Sequence, residues 1–226
     1  MKDLSGHEYT ELEVSSLARK AYSSNPSFRV KRERCALLIV DMQDEFVRPG
    51  WTPFWVPEAT GRVPQIKRLL EFCRKSKVPV IFTAFAKTNL YLDRPASGDS
   101  MPNRFPGVPG DRAFFRDGKI WHELSPKSNE IVIYKPSYGA FYDTPLETIL
   151  KRMGKDTVIL CGTLTNYCVG TTARQAYERG FKVIVGADVT ATDDADLQKA
   201  ELKTLRKGFA MVLSTDQIVQ KLRARG

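Results

Sequence analysis

The chain has 226 residues, 42% hydrophobic and 27% charged, with a formal charge of +9 from 35 lysines and arginines against 26 acidic residues. That is the composition of one large globular domain with enough apolar material for a substantial core. No apolar run reaches the roughly 18 residues that would span a bilayer, so no membrane partner is expected. Met1 to Ser5 lack a charged-then-apolar signal pattern, which makes the cytoplasm the expected location.

The basic residues are scattered through predicted helices and are densest from Lys199 to Arg225, without zinc-finger spacing or a glycine-aromatic RNA motif. They read as solvated helix faces, and no nucleic-acid partner is expected. Cys35, Cys73, Cys161 and Cys168 form no C-x-x-C pair and lie mostly in apolar patterns, which points to reduced thiols rather than a disulfide framework. Two histidines, His7 and His122, are too few for a histidine-rich zinc site.

Residues 1–34 are polar, with scattered apolar anchors at Leu12, Val14, Leu17 and Tyr22. They read as an N-terminal arm packed over the domain or a neighbouring subunit, ahead of a domain spanning 35–226. Cys35 to Val40 is a continuous apolar run, a strand buried on both faces, which ends at Asp41. Residues 42–60 place Trp51, Phe54 and Trp55 among prolines and a glycine, an aromatic loop suited to a pocket wall or an interface. A helix is predicted from Pro64 to Lys77, with Ile66, Leu69, Leu70 and Cys73 at helical spacing. A strand follows from Val78 to Phe85.

An irregular segment from Ala86 to Lys127 is long enough to be functional or interfacial. A third strand runs from Glu130 to Tyr134 and meets Lys135. Thr144-Pro145-Leu146-Glu147 reads as a capping box opening a helix to Met153. The strand at Val158 stops at Gly162, and after a polar turn a helix is predicted from Cys168 to Arg179, stopped by Gly180. A strand from Lys182 to Ala187, a helix from Leu197 to Lys207, a strand from Phe209 to Leu213 and a helix begun by Thr215 complete the chain. Strands alternating with helices predict a single α/β domain, a parallel sheet covered on both faces.

Ligands of such sheets bind outside the carboxyl ends of the strands, and three reactive side chains fall there: Asp41, Lys135 and Cys168. A cysteine in a first helical turn meets unpaired N–H groups and the positive end of the dipole, both of which favour the nucleophilic thiolate. Taken singly, Asp41 could cap a loop, Lys135 could be an exposed strand end and Cys168 could be core.

Val40-Asp41-Met42-Gln43, Tyr134-Lys135-Pro136 with Gly139-Ala140-Phe141, and Gly162-Thr163-Leu164-Thr165-Asn166-Tyr167-Cys168-Val169 resemble the three motifs of the isochorismatase-like cysteine hydrolases. Nicotinamidases, N-carbamoylsarcosine amidases and ureidoacrylate amidohydrolases belong to that superfamily. The resemblance covers roughly Ala36 to Leu213. It implies a three-layer α/β/α domain with a six-stranded parallel sheet, assembled as a homodimer or homotetramer. It also implies a catalytic triad of Asp41, Lys135 and Cys168, a cis peptide between Thr163 and Leu164, and an oxyanion hole from the N–H groups of Leu164 and Cys168.

Departures from the family pattern narrow the expected chemistry. Metal-dependent nicotinamidases carry an Asp-x-His after the second strand, where this chain has Phe85 and Lys87, so no metal and no cofactor are expected. Isochorismatases proper usually lack the cysteine, so Cys168 favours C–N cleavage. Gly139 stands where serine is usual, a change that could widen the pocket. The expected activity is that of a metal-independent cysteine amidohydrolase acting on a small amide, carbamoyl or ureido compound. Phe46, Trp51, Lys87, Tyr138 and Asn166 are the candidate substrate contacts. A non-catalytic binding member of the fold is the alternative from a different class.

Overall fold

The computed structural model describes residues 2–23, 26–86 and 118–224. Its six strands form one parallel sheet in the order β3-β2-β1-β4-β5-β6. They are β1 Cys35–Val40, β2 Val80–Phe85, β3 Ile131–Lys135, β4 Thr157–Thr163, β5 Lys182–Ala191 and β6 Met211–Leu213. The helices are α1 Glu11–Ser23, α2 Asp44–Val47, α3 Pro57–Lys75, α4 Leu146–Arg152, α5 Gly170–Glu178, α6 Ala195–Gly208 and α7 Thr215–Arg223.

Alternation along β1 builds the two cores. Cys35, Leu37 and Ile39 point to one face and pack with Val63, Ile66 and Leu70 of α3 and Ile218 and Leu222 of α7. Ala36, Leu38 and Val40 point to the other, among Leu146 and Leu150 of α4, Ala173 and Ala176 of α5 and Leu205 of α6. A two-residue period with both faces covered is why β1, β2 and β4 read as almost unbroken apolar runs. The chain winds outward from β1 through β2 to β3, then from β4 through β5 to β6. The direction of winding therefore reverses between β1 and β4, where doubly wound sheets open a crevice for ligands.

Several local expectations need correction. Helix α3 starts seven residues before Pro64: Pro57 fills its first turn, where a missing N–H costs nothing, and buried Ala59 and Val63 carry the apolar stripe back past Pro64. Thr144 forms no capping box: its hydroxyl donates to the Ala140 carbonyl at 2.5 Å and accepts from the Leu146 N–H at 3.3 Å rather than from that of Glu147, whose carboxylate pairs with Lys151 and Arg179. The box forms instead at α7, between Ser214 and Gln217. Leu12 and Leu17, read as anchors of an arm, are exposed on helix α1. Most of the irregular segment after Ala86 lies outside the described residues. Its described end runs antiparallel to residues 42–44, with Ile120 bridged to Gln43.

Candidate active site

The rim at the β1/β4 switch point is built from three strand ends. Asp41 follows β1 in a left-handed conformation, φ 50°, which aspartate tolerates better than most residues. Its N–H donates to the Thr83 carbonyl at 3.1 Å, and the Thr83 hydroxyl donates to Asp41 Oδ1 at 2.8 Å. Lys135 is the last residue of β3, two strands from β1. Its long side chain crosses β2, with Nζ 5.1 Å from the centre of the Phe85 ring, and reaches 2.7 Å from Asp41 Oδ2. The same Nζ donates to the Ser137 carbonyl at 2.9 Å and approaches Cys168 Sγ at 3.4 Å.

Cys168 reaches that point through an unusual turn. Gly162, at φ +116°, lies opposite Val40 in the ladder, and a Cβ there would overlap the Val40 carbonyl. The Thr163–Leu164 peptide is cis. One π-helical turn, Thr165–Val169, then joins β4 to α5, so Cys168 sits in the π turn rather than at the start of the α-helix predicted for it. Among the described residues the Leu164 N–H donates to no acceptor, while its carbonyl accepts from Tyr167 and Val169.

Asp41, Lys135 and Cys168 are 0%, 0% and 3% exposed, so electrostatics here are those of an interior. Burial opposes the charge on Lys135, but Asp41 and Cys168 beside it hold the ammonium above its ordinary pKa. Burial pushes the Cys168 thiol up, the Asp41 carboxylate pushes it further, and Lys135 offsets only part of this. Desolvation and a neighbouring anion thus oppose the helix-terminus argument for a resting thiolate.

The remaining sequence candidates are placed unevenly. Tyr138 stands over this cluster, its ring 6.4 Å from Phe85 and 5.4 Å from Tyr167. Asn166, in the π turn, accepts from the Thr192 hydroxyl at 2.6 Å and does not cap the helix. Phe46 is buried in the α3-side core. Trp51 is exposed, under the Arg48 guanidinium at 5.2 Å. Lys87 lies outside the described residues. Gly139 packs against α5: a Cβ there would overlap the Gln175 carboxamide, whose Oε1 accepts from the Phe141 N–H at 3.1 Å.

Sequence reasoning met Gln43 only inside the first motif and Phe85 only in place of a metal ligand, and gave Thr83 no role. Gln43 clamps Phe85 from both sides, its Oε1 accepting from the Phe85 N–H at 2.6 Å and its Nε2 donating to the Phe85 carbonyl at 3.1 Å. Gln43 Nε2 also donates to buried Glu45 at 2.9 Å, and burial raises that carboxyl's pKa. The available signal for Thr83 was a lone polar residue inside the apolar run Val80–Phe85, whereas Gln43, followed by Asp44 and Glu45, carried no such contrast. Phe85 fixes its ring beneath Lys135 and has no side-chain donor for a metal. Among the described residues no group of three or more histidines, cysteines, aspartates or glutamates could hold a metal ion.

The isochorismatase domain family matches residues 35–217, and the chain belongs to that family, whose members are hydrolases. Enterobactin synthase component B of Escherichia coli (strain K12) is 30% identical over 83% of this chain and 63% of its own length, so this chain spans less than two thirds of that relative. Nicotinamidase 3 of Arabidopsis thaliana is 30% identical over 83% of this chain and 88% of its own length. A solved cysteine hydrolase from Pseudomonas syringae pv. phaseolicola 1448A has a TM-score of 0.80 at 28% identity, with 88% of this chain and 97% of that chain covered.

Proposed function

We propose that this hydrolase is a metal-independent cysteine amidohydrolase that cleaves a C–N bond of a small amide, carbamoyl or ureido compound through a thioester on Cys168. One observation carries the reading: a single buried ammonium, Lys135 Nζ, touches both the Asp41 carboxylate at 2.7 Å and the Cys168 sulfur at 3.4 Å. With one buried cation the cluster tolerates one anion. The Cys168 proton therefore moves to Asp41 as the thiolate forms, and the cluster stays neutral.

The thiolate attacks the carbonyl carbon, and the π electron pair moves to oxygen. The Leu164 and Cys168 N–H groups receive that oxyanion. When the carbonyl reforms, the C–N bond breaks and its electron pair takes the proton from Asp41, releasing ammonia or an amine. Water then gives a proton to Asp41 and its oxygen attacks the thioester carbonyl; the C–S bond breaks, the acyl part leaves as an acid, and the departing sulfur takes the proton back from Asp41. Tyr138 provides a wall for the substrate, supported by its place between Phe85 and Tyr167. Assembly as a homodimer or homotetramer is part of the same proposal, and light scattering tests it.

Ammonia release from nicotinamide, N-carbamoyl amino acids, ureidoacrylate, biuret and aliphatic amides, with chelator throughout, tests the activity. Turnover of a carbamoyl or ureido compound in chelator is the expected result. Turnover that depends on added metal, or that persists in Cys168→Ala, overturns it.

A further inference from the structure

Strand β2 reads Val-Ile-Phe-Thr-Ala-Phe, and Thr83 is its one polar residue. A buried hydroxyl needs a partner, and an ionised carboxylate can only accept. The Thr83 Oγ1–H therefore points to Asp41 Oδ1 at 2.8 Å, with both residues fully buried. Asp41 Oδ2 is different. It lies 2.7 Å from Lys135 Nζ yet has no well-directed hydrogen bond, and water does not reach it. The charged and titratable groups against Asp41 among the described residues are Lys135, from β3, and Cys168, from the turn after β4.

We propose that Thr83 is a positioning residue that divides the two oxygens of Asp41 between different tasks. Its hydroxyl occupies Oδ1 and holds the carboxylate plane, which leaves Oδ2 as the oxygen that receives the Cys168 proton and returns it. The inference rests on the proposed amidohydrolase chemistry and deepens it. The balance is simple: the Sγ–H bond breaks, an Oδ2–H bond forms, and the sulfur keeps the electron pair. Because the Thr83 O–H bond favours the carboxylate anion, its loss makes Oδ2 a stronger base.

The test needs no substrate. Iodoacetamide alkylation of Cys168, located by peptide mass mapping, is followed against pH in the wild-type protein and in variants, since the thiolate is the reacting form. Wild type is expected to show two limbs, an acid-side one set by the proton exchange with Asp41 and an alkaline one where the thiol ionises outright, and Asp41→Asn should leave only the thiol's own limb. Thr83→Val and Thr83→Ala should both move the acid-side limb upward by about one pH unit, and Thr83→Ser should return it to the wild-type position. An acid-side limb unmoved in the valine and alanine variants, or a serine variant that behaves like valine, overturns the inference. A profile that keeps both limbs in Asp41→Asn sinks the proposed proton exchange itself, and this inference with it.

Discussion

Lys135 Nζ lies 2.7 Å from Asp41 Oδ2, although β3 and β1 are separated by the whole width of β2 and neither side chain has any exposed surface. Such a pair stands or falls together. Removing one member leaves an uncompensated charge in the interior, at a cost of about 3–5 kcal/mol, whereas removing both costs much less. Lys135→Met should therefore lower the free energy of denaturant unfolding by that amount, and Lys135→Met combined with Asp41→Asn should recover most of it. A double variant as unstable as the sum of the singles contradicts this coupling.

Alkaline pH should destabilise the protein from about pH 9 upward. Burial raises the Cys35 and Cys73 thiols to about 12, and burial also raises Cys161. These thiols ionise first in the unfolded chain, so stability present below their ordinary range is lost as pH climbs towards the folded values. Lys135, raised by its anionic neighbours against burial, adds loss in the same direction above its ordinary value. Cys73→Ala should flatten the decline by up to about 1.4 kcal/mol per pH unit, read by urea titration at several pH values.

Gly162→Ala should be among the most damaging single-methyl additions. The residue combines φ +116° with a close approach to the Val40 carbonyl, so both strain and overlap oppose a Cβ. A loss of at least about 2 kcal/mol is expected, with slower alkylation of Cys168 because the turn that presents it begins one residue later. Gly180→Ala is the control: its φ is also positive, but a Cβ there meets nothing. Thermal denaturation should separate the two, with Gly162→Ala falling further.

Most of this architecture was legible because each strand is a short apolar run stopped by a polar residue. Asp41 and Lys135 are stops of that kind and Cys168 follows the fourth strand by a short turn, so strand ends alone pointed all three to one rim. What stayed illegible depends on groups distant in sequence. Nothing near Gly139 says that Gln175 packs against it, and nothing near Thr83 says that its hydroxyl meets Asp41, 42 residues away. The Cys168 thiol is a third case. The dipole argument is local and visible in sequence, whereas the burial and the Asp41 charge that oppose it arise only when the sheet assembles.

The account turns on a covalent bond to one sulfur. With whichever amide or ureido compound proves to be turned over, acid-quenched protein digested and mapped by mass spectrometry should carry the acyl part of the substrate on Cys168. Cys168→Ala should show neither adduct nor ammonia release. Ammonia release by Cys168→Ala at a rate close to wild type would contradict the mechanism outright.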